Sequence, residues 1–270
     1  MRRAPDSGLT LTTPTWSVAV PFELASLLPP GVEPMTALAL VGLSLVTSLI
    51  TATFSLGGGI LMVAVLALVF PPAVVVPVHG CVQLGSNGGR AVVQRRHIQW
   101  AYVGWIGLGA AFGAIAGGAF ASRLPENLFQ IAIAVFILIS IWLPLPKVMA
   151  HGRVTQVVAG FFISGLSMVV GAVGPLVAVF LKSLPDRRQL VATHATLLTI
   201  QNLFKVLTFI GLGFAFADYV PLIIAMVISG FVGTTIGSGL LVRIPEAAFR
   251  HGFRVVVTLV ALNLLREALF

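Results

Sequence analysis

The sequence predicts an all-α polytopic membrane protein built from two inverted repeats, each with a broken or re-entrant leading helix followed by three transmembrane helices. Three observations carry this. The chain is too apolar for a soluble domain: 58% of its 270 residues are hydrophobic and 9% charged, where soluble domains carry about 25% charged residues. Its long apolar runs fall into two sets of similar order. One polar signature, His-x7-Asn-x2-[Arg/Lys], occurs once in each set. His79, Asn87 and Arg90 form the first copy and His194, Asn202 and Lys205 the second, every pair 115 residues apart.

The first set of runs comprises 35–70, 72–93, 99–122 and 127–146, and the second 154–182, 187–213, 219–242 and 246–266. Each leading run is broken by glycine, at Ser55 to Gly59 in the first and at Gly171 and Gly174-Pro175 in the second. After the break only 60–70 or 175–182 remains, which at 1.5 Å per residue reaches roughly 12–17 Å, about half of a 30 Å hydrocarbon core. Each leading run therefore reads as a helix followed by a half-helix that turns back. Gly59 and Gly174 also differ by 115. Further on, GAIAGGAFASRLPE (113–126) aligns without gaps to GTTIGSGLLVRIPE (233–246) at an offset of 120. Gly113/Gly117 and Gly233/Gly237 read as close helix-packing pairs, and Arg123 to Glu126 with its copy as loop caps. Residues 1–34, with Pro5, Pro14, Pro21, Pro29 and Pro30, form an N-terminal extension that is poorly ordered or interfacial; 35–150 is the first membrane repeat and 151–270 the second.

Charge sets the topology. With each leading run counted as out-and-back, Arg95/Arg96, Lys147/Arg153, Lys182/Arg187/Arg188 and Arg243/Arg250 share one side, while Arg123, Glu126 and Asp218 lie on the other. That is a positive-inside pattern. The count gives each half an odd number of passes, so the halves are inverted, a plan common among secondary transporters.

The polar signature forms a stripe. At about 100° per residue, Gln83, Asn87, Ser86 and Arg90 all fall within an arc of about 100° that includes His79. Gln201, Asn202 and Lys205 repeat the pattern around His194. Lipid cannot satisfy such groups, so each stripe faces protein or water. All eight acidic residues lie at segment ends, in loops or in the extension. A cation pathway or proton relay would place carboxylates at membrane depth; a basic, amide-rich pocket suits an anion. Half-helix N-termini at Gly58-Gly59 and Gly174 add backbone N–H donors. The candidate substrate-binding set is His79, Gln83, Ser86, Asn87, Arg90, His194, Gln201, Asn202, Lys205, Gly58, Gly59 and Gly174. Plainer roles stand beside it: structural histidines, amides that join helices, and an Arg90 that snorkels to the interface. With Cys81 the single cysteine and no intramembrane acid, an enzyme lacks its parts, and neither a metal nor a cofactor is expected. The net charge of +8 resides in short loops, which argues against nucleic acid.

FSLGGGILMVAVL, then VPVHGCVQLGSNGGRAVVQRRHIQW, and the degenerate second copy resemble the sulfite exporter TauE/SafE family over about residues 35–266. The second half departs from the pattern with GAVGP for a glycine triplet and Lys205 for arginine. The resemblance implies a multi-pass protein of a bacterial inner membrane that moves small sulfur-containing or organic anions, mostly outward. The expected function is therefore a secondary anion transporter working by alternating access, with an anion-selective channel as the alternative. Its expected partners are a small anion and the lipid bilayer, with a homodimer allowed.

Overall fold

The structure, a computed structural model, describes residues 28–54, 57–143, 152–181, 184, 186–240 and 246–269, with every side chain among them except those at 187, 238–240 and 246–250. Most of the N-terminal extension, together with Lys147, His151, Lys182 and Arg243, lies outside the described residues. Within them, α1 (Pro34–Phe54), α2 (Gly58–Val69), α3 (Pro72–Val93), α4 (Trp100–Ala121) and α5 (Glu126–Trp142) make the first half. The second half is α6 (Arg153–Val170), α7 (Gly174–Leu181), α8 (Arg187–Gly211), α9 (Val220–Leu240) and α10 (Glu246–Leu269). His251 is exposed on α10.

Both leading runs break where the sequence puts glycine. Gly57 precedes α2 at φ +104° and Gly171 follows α6 at φ +79°, conformations that L side chains rarely adopt. The half-helices that follow have 12 and 8 residues. Pro72 opens α3 at a position where its missing N–H has no partner to lose.

The halves hold each other by exchanging contacts. α4 lies along α6, and its counterpart α9 lies along α1. Glycine makes both seams close. A Cβ on Gly113 would run into the Phe161 carbonyl and one on Gly117 into Gly165; likewise Gly233 abuts the Leu45 carbonyl and Gly237 approaches Leu49. Such backbone contact is how helices gain packing where lipid removes the hydrophobic drive. One step of the ladder differs: Gly109 sits against the Val157 carbonyl, whereas Ser229 donates to the Val41 carbonyl at 2.7 Å. α3 and α8 pair with each other at the centre. They run antiparallel, since Gly80 faces Lys205 and Gly88 faces Thr199. α5 pairs with α10, where Trp142 Nε1 donates to Thr258 Oγ1 at 3.0 Å.

The ends differ in charge. Gln99 N donates to Thr193 Oγ1 at 3.0 Å, tying the α3–α4 connection to the start of α8, and Arg153 lies over the Trp105 ring at 5.2 Å. Arg95, Arg96, Arg153 and Arg188 therefore gather at one end. The opposite end holds a Phe70–Tyr219 edge-to-face pair at 5.9 Å and a cavity of about 380 Å³ bordered by Pro71, Glu126 and Phe214.

Large apolar side chains such as Phe112, Ile115 and Phe120 on α4 and Leu259 and Leu262 on α10 stand exposed, as lipid-facing surface should. By length and composition α1, α4, α6, α8 and α9 can cross a membrane. The expected three apolar spans after each leading helix are met only in part. α3 has the length but carries the polar stripe, α5 has 17 residues, and α10 carries Arg254, Asn263, Arg266 and Glu267.

Gly113→Val should force α4 from α6 and lower stability by about 1–3 kcal/mol, read as a fall in Tm of the detergent-purified protein. Gly104→Ala on the same helix adds its Cβ to open space and should not lower Tm.

Candidate functional site

The two stripes face each other across a cavity of about 40 Å³, room for roughly three water molecules. α3 contributes His79, Gln83 and Asn87; α8 contributes His194, Gln201, Asn202 and Lys205; the half-helix starts contribute Gly59 and Gly174. The site thus forms where both helix breaks meet the central α3–α8 pair.

Each histidine is tied to the half-helix of its own repeat. His79 Nε2 donates to the Gly59 carbonyl at 3.1 Å, and His194 Nε2 to the Gly174 carbonyl at 2.9 Å. A carbonyl only accepts, so Nε2 carries the hydrogen, and Nδ1 of the neutral ring is an acceptor. His79 Nδ1 is buried without a partner. The asparagines also match: Asn87 Nδ2 donates to the Gln83 carbonyl at 2.9 Å and Asn202 Nδ2 to the Leu198 carbonyl at 2.8 Å.

Lys205 is the largest fully buried side chain, 1% exposed. Its Nζ donates to the Gly171 carbonyl at 2.6 Å. No carboxylate is among the buried side chains of the described residues. A neutral carbonyl orients an ammonium but brings no opposing charge, and a buried charge without one is expensive. Beside it Gln201 is buried with both amide atoms unpartnered. A buried basic side chain, an unpartnered amide and a small void thus lie together at the centre of the bundle.

Three predicted residues stand off the cavity. Ser86 lies 3.4 Å from Ser48 Oγ on α1. Gly58 packs at the α1–α2 turn, where a Cβ would meet the Thr47 carbonyl. Arg90 is buried one turn beyond Asn87, with Nε and Nη2 unpartnered. Conversely, Thr51, Ser167 and Gly171 line the cavity without having been singled out as site residues. Thr51 and Ser167 are counterparts at an offset of 116, so an alignment held at 115 pairs Thr51 with Leu166 and hides them. The described residues hold no cluster of three or more histidine, cysteine or acidic side chains able to bind a metal; Cys81 is free and half-buried.

The profile of the sulfite exporter TauE/SafE family matches residues 38–264, from α1 to α10. The chain belongs to that family. No curated relative and no solved structure matches it. Membership makes the protein a multi-pass membrane transporter and implies sulfite or related anions as cargo. The matched span includes every residue that lines the cavity.

Gly59 and Gly174 are equivalent in sequence yet differ in clearance. A Cβ on Gly59 would collide with the Gln83 amide nitrogen, whereas one on Gly174 would make ordinary contact with His194 at 3.8 Å. Gly59→Ala should therefore displace Gln83 and weaken anion binding about tenfold, one charge-assisted hydrogen bond, and Gly174→Ala should change it less. Anion-dependent shifts in Tm measure both.

Proposed function

We propose that the protein is a secondary transporter that carries a small oxyanion outward across a bacterial inner membrane by alternating access between two inverted halves. The observation that carries this reading is Lys205, an ammonium buried to 1% exposure with a backbone carbonyl as its partner. An anion bound beside Nζ would supply the missing charge. Gln201 would add an amide donor, and Gln83, Asn87 and Asn202 would orient the guest. A proton taken up on His79 Nδ1 would turn an acceptor into a second donor, coupling protonation to binding. Ser86 and Gly58 would act indirectly, by fixing α3 and the α1–α2 turn.

The exchanged contacts of α4 with α6 and α9 with α1 support two halves that can rock against each other about the central α3–α8 pair. The end carrying Arg95, Arg96, Arg153 and Arg188 would face the cytoplasm. An interior-negative potential then favours anion exit by about 2.3 kcal/mol per charge per 100 mV. A chamber of about 40 Å³ favours a carrier with a bound intermediate over an open channel.

Reconstituted in proteoliposomes, the protein should show sulfite efflux that saturates and is stimulated by sulfite on the opposite side. Lys205→Met should reduce that flux about a hundredfold or more, the consequence of removing one member of a buried charge pair, while the protein stays folded in detergent. Flux that rises linearly with concentration would indicate a channel, and undiminished flux in Lys205→Met would remove the residue from the pathway.

A further inference from the structure

Arg90 has no place in the chamber, yet it is as buried as the residues that do. Its side chain is 7% exposed, and both Nε and Nη2 are buried without partners. These atoms form one edge of the guanidinium. Their N–H bonds point the same way and make the fork that grips two oxygens of a single oxyanion. An arginine that snorkels would place this edge in water. Here the edge is buried and meets no protein acceptor, which is unfavourable unless an acceptor binds it.

Its place in the fold says what that something is. Arg90 lies three residues beyond Asn87 on α3, an axial step of about 4.5 Å, in the direction of Arg95 and Arg96 at the basic end. Its charge bears on His194, which lines the chamber. Lys205 occupies the mirrored position, its charge bearing on His79. The two cations thus mark opposite ends of the stripe pair. They differ in partner: Lys205 donates to the Gly171 carbonyl, and the Arg90 edge has no protein acceptor.

We infer that the Arg90 edge is a second oxyanion station, set between the basic end and the chamber, from which the anion passes to Lys205. The inference rests on the transporter reading above and deepens it by dividing the work. A two-pronged edge fits paired oxygens and fits a spherical halide poorly, whereas an ammonium accepts either. Arg90 would therefore select oxyanions, and Lys205 would hold the charge in the chamber.

The test is calorimetric titration of the purified full-length protein with sulfite, alone and against chloride. Wild type should bind two sulfites per chain, and Arg90→Gln one. Arg90→Lys, which keeps the charge and guards against a folding artefact, should lose about tenfold or more of the preference for sulfite over chloride, the worth of one charge-assisted hydrogen bond. One sulfite per chain in wild type, or an unchanged preference in Arg90→Lys, overturns the second station. If sulfite flux is still abolished by Lys205→Met in that case, the transporter reading stands without it. Absence of both binding and flux in wild type overturns the two together.

Discussion

A buried ammonium under a backbone carbonyl organises the centre of this protein. Lys205 can be accommodated at depth because α6 stops short. Its last carbonyls have no intrahelical partner, and Gly171 at φ +79° turns the chain so that one of them meets Nζ. The turn admits no side chain, because a Cβ on Gly171 would lie 2.6 Å from Val63 Cγ2. Helix break and charge are therefore one arrangement: the break frees the acceptor, and the charge occupies it. The histidines repeat the logic, each donating to the carbonyl of a glycine in the first turn of its half-helix.

The helix pairing explains why the site lies where it does. If each half of a duplicated chain packs its fourth helix on the other half's leading helix, the third helices are left to meet at the centre. α3 and α8 therefore face each other, and polar groups that neither helix could show to lipid are enclosed between them. The seams must be tight for this, and the glycines on α4 and α9 make them so. Gly80 serves the same end within the site: a Cβ there would stand 3.0 Å from Lys205 Cδ, so the glycine lets the lysine stem cross α3.

Much of this was legible in the sequence because the physical signals were strong and repeated. Two glycine breaks, two stripes and two G-x3-G pairs each constrained the other copy, and nine of the twelve expected site residues line the cavity. The differences between the expected set and the cavity lining have separate causes. A helical wheel places Ser86 within the stripe but does not show that α1 closes on that face, so that Ser48 takes it. Gly58 adjoins Gly59 in sequence, yet consecutive residues on a helix point about 100° apart, and Gly58 is turned toward the Thr47 carbonyl of α1. Thr51 and Ser167 were hidden by a one-residue shift between the leading helices and the rest of the repeat. Lys205's partner was invisible for a deeper reason, since a backbone carbonyl has no letter in the sequence. α3 is likewise too polar to register as a span by composition, because the residues that matter most are those that lower its hydropathy.

The halves are alike in plan and unlike in their cations, and the difference bears on how an anion would travel. Two identical deep sites would each hold the anion with the same geometry, and release from one would gain nothing by capture at the other. Arginine and lysine break that equality. A guanidinium edge demands two oxygens in its own plane, and an ammonium on a flexible stem imposes no such alignment. Passage from the first to the second would relax the orientation of the anion while keeping a positive charge beside it. On this proposal discrimination would precede translocation, and the step across the low-dielectric centre, where an unpaired anion is least stable, would be made between two fixed positive charges.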